Sequence, residues 1–180
     1  MGLIGHPVKF GWVGLLLFVV LAGCASPANR EAMVPSQKVT GKQHPYSIQV
    51  TTSGGSETGS MDSSNISDAD LKAAIETAIA RDKLFKAVVQ GVGGDYELTV
   101  RIVTLSKPLF GGTFTVDLET AWSLVRLADR MVVMRKSVTS KGVATMSEEF
   151  AGVARLRLAV EKAARENIAQ GLQEIANLNL

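Results

Sequence analysis

A regular alternation of apolar and polar side chains runs through residues 114–124. The even-numbered positions carry Phe, Val, Leu, Thr, Trp and Leu, whereas the odd-numbered positions carry Thr, Asp, Glu, Ala and Ser. Because the side chains of a β-strand point alternately to opposite faces, this pattern predicts a strand with one apolar and one polar face. The apolar face of such a sheet must be covered by a second layer of the protein.

Other segments supply the remaining strands and the covering helices. Ser67 is a predicted N-cap, and apolar residues at helical spacing follow it as far as Ile79. A longer helical pattern extends from 147 to about 176, with Gly152 or Gly171 as a candidate break. The order β-α-β-β-β-β-α predicts an α+β fold, in which a mainly antiparallel sheet carries two amphipathic helices on one face. The other predicted strands are 46–50, 86–90, 96–102 and 131–145.

The N-terminus contains an uncharged segment, residues 10–21, which consists of apolar residues and glycines and directly follows Lys9. A basic residue, a short apolar core and the small pair Ala22-Gly23 are typical of a secretory signal peptide. The core is too short to cross a bilayer, because a spanning helix needs about 20 apolar residues. Nothing after Cys24 approaches that length, so we expect no transmembrane helix in the mature chain.

Leu21, Ala22, Gly23 and Cys24 together resemble the lipobox of bacterial lipoproteins, and they stand directly at the end of the apolar core. The resemblance implies that the thiol of Cys24 carries a diacylglycerol, that the signal is cut before it, and that the freed amine is acylated. Each buried methylene of these chains contributes about 0.8 kcal/mol, so the anchor would hold the protein on a membrane. The alternatives for Cys24 are a small buried thiol or a disulfide partner, and the sequence has no second Cys.

The mature chain is expected to begin with a tether. Ala25 and Ser26 follow Cys24 in place of Asp, which resembles sorting to the outer membrane, on the side that faces the periplasm. Residues 24–45 show no helical or strand period and contain several Pro, so we predict a lipidated N-terminus and a flexible tether with a reach of roughly 25 Å. The predicted organisation is a signal peptide over 1–23, the tether over 24–45 and a single α+β periplasmic domain over 46–180.

Charge and residue counts exclude several function classes. Removal of residues 1–23 takes away Lys9 and no acid, which lowers the formal net charge from +2 to +1. A dedicated nucleic-acid binder needs a strong positive footprint, so no nucleic-acid partner is expected. His44 is then the single His, and it is expected to be exposed in the tether. We therefore predict no catalytic triad, no metal site and no catalytic residues.

Paired acids leave one catalytic alternative open. Asp117 and Glu119 share one face of the alternating strand, where they are expected to be solvated. Two carboxylates on one face could serve as acid and base, so a hydrolase or transferase that acts on envelope material is the alternative from a different class.

Residues 107–112 interrupt the strand patterns and place two large apolar residues in an expected hairpin loop, where side chains commonly lie at the surface. Leu109 and Phe110 are therefore the candidate partner-binding residues, for contact with another envelope protein or with a lipid surface. The alternative is that both side chains fold back and plug the end of the sheet and helix layers.

Three arginines on the second predicted helix are a further candidate, for acidic headgroups or lipopolysaccharide. Glu161 and Glu166 neutralise that face, so a solvated helix surface is expected instead. The three residues are Arg155, Arg157 and Arg165.

Several short segments resemble a group of small, uncharacterised proteobacterial envelope lipoproteins, and the likeness covers most of residues 50–178. The group brings no catalytic residues with it. The layout is also similar, more distantly, to accessory lipoproteins of envelope transport and assembly machines, which is an analogy of fold alone. The segments that carry the likeness are 95–98, 107–111, 114–116, 155–159 and 163–168.

Together these features predict a membrane-anchored periplasmic lipoprotein that acts as a non-catalytic binding or scaffold module in the cell envelope. Its expected partners are the membrane, through the lipid anchor, and an envelope protein. No cofactor is expected beyond the covalent diacylglycerol and acyl chain on Cys24. The alternatives are the carboxylate hydrolase or transferase and a carrier of a small apolar ligand, which would need a cavity between sheet and helices.

Overall fold

The computed structural model describes residues 25–59 and 62–180. The strands in these ranges are β1 (His44–Ser53), β2 (Phe85–Val88), β3 (Tyr96–Ser106), β4 (Thr113–Arg126) and β5 (Met131–Thr145). The helices are α1 (Arg30–Met33), α2 (Asp68–Asp82) and α3 (Gly152–Ala176). The strands form one sheet in the order β2-β1-β3-β4-β5.

This sheet is mixed. β3, β4 and β5 follow one another as an antiparallel meander, and these two pairings contain most of the paired residues. β1 runs parallel to both of its neighbours, because the chain crosses from β1 to the edge strand β2 through α2, as a parallel connection requires. The predicted α+β fold with a mainly antiparallel sheet is confirmed, and β1 is its parallel strand.

The even-numbered side chains of β4 pack beneath α3. Trp122 is 1% exposed, and Leu118 and Leu172 are fully buried. Thr120 is the buried hydroxyl in this row: its Oγ1 donates to Asn167 Oδ1 at 2.6 Å and accepts from Trp122 Nε1 at 2.7 Å. Because α2 contacts both β1 and α3, the two long helices lie on one face of the sheet, and the other face is open.

Residues 28–43, which we call the strap, pack along α2 and α3. The prediction of a flexible tether over 24–45 is therefore wrong for the part that the structure describes. Met33, at the end of α1, is fully buried, and the N–H of Lys42 donates to the carbonyl of Ala176 at 2.9 Å. Isolated apolar residues and backbone hydrogen bonds hold the strap, and neither leaves a periodic signal in the sequence.

The C-terminal end of α2 holds the middle of the strap. Asp82 accepts a hydrogen bond from the N–H of Val39 at 3.0 Å and two more from the guanidinium of Arg81. The same guanidinium donates to the carbonyl oxygens of Pro35 and Gln37. Burial raises the pKa of Asp82, but the bonds from Arg81 and Val39 outweigh burial and hold this pKa below its usual value. Asp82 therefore stabilises the strap as a carboxylate.

His44 is 4% exposed, so the prediction that it lies exposed in a tether is also wrong. β1 begins at His44, two residues before the predicted start, and this brings the ring beneath the end of α3. Its Nε2 lies 3.1 Å from the carbonyl oxygen of Ile175, and the ring packs against Phe85 with centroids 5.0 Å apart. The ring is thus a part of the core.

Candidate interaction surface

Two loops meet at the end of the sheet where β3 ends and α3 begins: residues 107–112, between β3 and β4, and residues 146–151, between β5 and α3. They touch, because a Cβ built on Gly112 would lie 3.4 Å from Met146 Sδ. Their large apolar side chains are unusually open to solvent. Leu109 is 91% exposed, Phe110 84% and Phe150 80%, and Met146 is about half exposed. We call Leu109, Phe110, Met146 and Phe150 the apolar end.

Leu109 and Phe110 therefore point outward and do not plug the end of the sheet. Phe150 and Met146 were missed by the sequence reasoning. A single large apolar residue among the polar residues 147–149, between a strand and a helix, was the available signal for Phe150.

A buried arginine joins the two loops. Arg155 is 6% exposed, and its guanidinium donates to the carbonyl oxygens of Glu149 at 3.0 Å, Phe150 at 2.9 Å and Gly111 at 3.0 Å. It also lies over the ring of Phe114, 4.7 Å from the centroid. Because three acceptors from two loops share one cation, the loops are held in a fixed relation to each other.

The expected solvated face of α3 is wrong for two of its three arginines. Arg155 is used by the loops, and the Nε of Arg165 donates to the carbonyl of Ala32 at 2.8 Å, beneath the strap. Arg157 pairs with Glu161, 3.6 Å away, at the predicted i,i+4 spacing. Neighbours distant in sequence cover this face, so the helical period of α3 could not reveal it.

The loop after β3 is also tied to the beginning of the described chain. Lys107 donates to the carbonyl of Ser64 at 3.1 Å and to Asn65 Oδ1 at 2.5 Å. The carbonyl of Asn65 in turn accepts from the N–H of Ala28 at 3.1 Å. Burial lowers the pKa of Lys107, although the charge of Asp62 raises it. The strap thus begins beside the loop that carries Leu109 and Phe110.

The other sequence-predicted residues lie elsewhere. Asp117 and Glu119 are on the open face of the sheet, where Lys141 pairs with Asp117 at 3.0 Å and Ser137 Oγ donates to Glu119 at 2.8 Å. Leu21, Ala22, Gly23 and Cys24 lie outside the described residues. On the same open face, a shallow groove of about 380 Å³ has small residues on its floor and two arginines at its sides. Its lining includes Arg101, Ala121, Ser123 and Arg135.

No helix within 25–59 and 62–180 is both long and apolar enough to cross a membrane. In the same part of the chain, no cluster of three or more His, Cys, Asp or Glu side chains is placed to hold a metal ion.

No protein-family model matches this chain, and the search of curated proteins finds no match. Solved structures do share its fold. Protein XCC0632 from Xanthomonas campestris, of the DUF330 family, is 13% identical with a TM-score of 0.60, over 84% of this chain and 92% of that one. The hypothetical protein CT253 from Chlamydia trachomatis is 3% identical, with a TM-score of 0.55 over 73% and 96%. The PelC dodecamer from Paraburkholderia phytofirmans is 11% identical, with a TM-score of 0.51 over 81% and 95%. At these identities the likeness shows the fold alone.

Proposed function

We propose that this protein is a lipid-anchored component of the bacterial cell envelope, attached through Cys24 to the periplasmic side of the outer membrane, and that it acts as a non-catalytic binding or scaffold module. The observation that carries the proposal is the apolar end. Large exposed apolar surfaces mark interaction sites, because water would otherwise drive them into the core. Arg155 holds this surface open at a fixed place.

The catalytic alternative has less support. Asp117 and Glu119 each have a bonded neighbour on an open, water-facing sheet, which offers a substrate no enclosed site. His44 is buried beneath α3 with its Nε2 at a backbone carbonyl, so it is not placed to act as a general base.

The carrier of a small apolar ligand is also less well supported. Trp122, Leu118 and Leu172 fill the layer between β4 and α3, where such a ligand would have to lie. The open face of the sheet, with the groove between Arg101 and Arg135, is where we place contact with an envelope protein partner.

The anchor is tested by Cys24→Ser in the full-length protein, with fractionation of the expressing cells. We expect the unchanged protein in the membrane fraction and the Cys24→Ser variant in the soluble fraction. Ser26→Ala, a change of similar size that leaves Cys24 in place, is the matched control and should remain in the membrane. Retention of Cys24→Ser with the membrane would refute lipid anchoring at this residue.

A further inference from the structure

We infer that the apolar end rests on the lipid bilayer itself, with Leu109, Phe110 and Phe150 inserted among the acyl chains. The domain then has one fixed orientation on the membrane. This inference rests on the proposed function, because it takes the lipid anchor at Cys24 as given and names the partner of the surface that carries that proposal.

The first argument is the reach of the anchor. Ala28 is held by the carbonyl of Asn65, and Asn29 N–H is held by the carboxylate of Glu161 at 3.0 Å. Cys24 is four residues before Ala28, and an extended chain spans at most about 3.5 Å per residue, so the lipidated residue lies within roughly 14 Å of Ala28. The domain therefore stays against the headgroups, where the predicted tether would have kept it roughly 25 Å away.

The second argument is position. The strap begins at Ala28, and Asn65 connects Ala28 to Lys107, the first residue of the loop that carries Leu109 and Phe110. The anchor and the apolar end are thus at the same end of the sheet. A helix is about 10 Å across, so a layer of protein between the apolar end and the bilayer would use most of the available reach.

The third argument is chemistry. Charges near the apolar end are engaged within the protein: Arg155 by three carbonyls, and Glu148 by Lys162 at 2.6 Å. A surface of aromatic and aliphatic side chains can enter the boundary between headgroups and acyl chains, with a gain that scales with the apolar area it buries. The favoured occupant is therefore lipid.

This orientation sets the rest of the molecule. The strands run from the apolar end to the opposite end, so they stand up from the membrane. The open face with Arg101 and Arg135 then faces sideways, into the periplasm. Val92, in the loop before β3, is 88% exposed at the opposite end and points away from the lipid.

The test uses the full-length lipidated protein in vesicles of phosphatidylethanolamine and phosphatidylglycerol. Phe110→Cys, Phe150→Cys and Val92→Cys each introduce a thiol for an environment-sensitive fluorophore, and lipidation of Cys24 leaves the introduced thiol as the one that reacts. Val92→Cys is the matched control, because it replaces an equally exposed apolar residue at the far end. We expect blue-shifted emission and quenching by spin-labelled lipid at 110 and 150, and neither effect at 92.

Three outcomes would overturn the inference. Emission typical of water at 110 and 150, on vesicle-bound protein, would show that the surface does not meet lipid. A blue shift at 110 without quenching by lipid would show that a second copy of this chain covers it. Equal quenching at 92 would show that the domain has no fixed orientation.

Failure of the proposed function is seen separately. The unsubstituted protein should not react with a thiol reagent, because lipid occupies its single Cys. If it reacts and does not float with the vesicles, the anchor itself is absent. If it is unreactive and floats while 110 stays in water, the anchor stands and the lipid contact of the apolar end is wrong.

Discussion

Gly171 lies in the middle of α3, directly above Trp122. A Cβ added there would lie 2.4 Å from two atoms of the indole ring and 2.6 Å from a third, which is closer than carbon atoms can approach. The ring is 1% exposed, and its Nε1 is bonded to Thr120 at 2.7 Å. Neither the ring nor the helix can give way without disturbing the buried layer between α3 and β4. Gly171→Ala is therefore a sharp test of this packing.

Two effects of Gly171→Ala oppose each other. In a helix interior, Ala is favoured over Gly by about 1 kcal/mol, so helix propensity alone predicts a more stable protein. Overpacking of a filled core costs about 1–3 kcal/mol, and a shift of the indole that breaks its bond to Thr120 costs about 1–3 kcal/mol more. The balance is a loss of about 2 kcal/mol, which for a chain of this size lowers Tm by roughly 4–8 °C.

Thermal and urea unfolding of the full-length protein would measure this loss. The matched control is Gly152→Ala in the same helix, where the nearest atom to a new Cβ is Arg155 Nη2 at an ordinary 3.9 Å. We expect the control to leave Tm unchanged or slightly raised. If Gly171→Ala is as stable as Gly152→Ala, the close approach of α3 to Trp122 is wrong.

Three further changes test the loops and the strap. Arg155→Met should lose about 2–4 kcal/mol of stability, because it leaves buried carbonyls unpaired, and should speed hydrogen exchange in both loops; unchanged exchange would contradict its role as their link. Phe110→Ser should shift Tm by no more than about 2 °C, because an exposed side chain contributes little to folding, and a fall of many degrees would contradict its outward position. Asp82→Asn should be less stable than the unchanged protein at neutral pH. The pKa of Asp82 is lowered on folding, so its contribution is present above the unfolded-state pKa of about 3.9 and is lost as pH falls through the lower folded-state pKa. Urea unfolding across that range should show the gap between Asp82→Asn and the unchanged protein closing in acid, and a gap independent of pH would contradict this.

Local period predicted the antiparallel half of the fold well. The alternation in β4 and the bounds of β5, Met131–Thr145, were both readable, because the two faces of these strands differ in polarity along the chain itself. Gly171 was a candidate break in α3, yet the helix continues through it. The missing side chain makes room for Trp122, and that requirement comes from a different element.

Features that depend on distant partners could not be predicted. The parallel pairing of β1 with β3 leaves no local signal, because the same side chains would suit an antiparallel neighbour. Arg155 looked like a residue on a polar helix face, and one of its acceptors, the carbonyl of Gly111, is 44 residues away in sequence. The exposure of Leu109 and Phe110 was open to two interpretations, and only the link through Arg155 decides between them.

The strap changes what a lipid anchor at Cys24 can do. Attached to a flexible chain of about 20 residues, the domain would sample a roughly 25 Å shell and present every face in turn. With Met33 buried and Asp82 holding Val39, the free connection shrinks to the few residues before Ala28. The same bonds that fold the strap therefore set how far the apolar end can stand from the bilayer. A segment that looked like a linker in the sequence is, in the folded protein, the part that links anchoring to orientation.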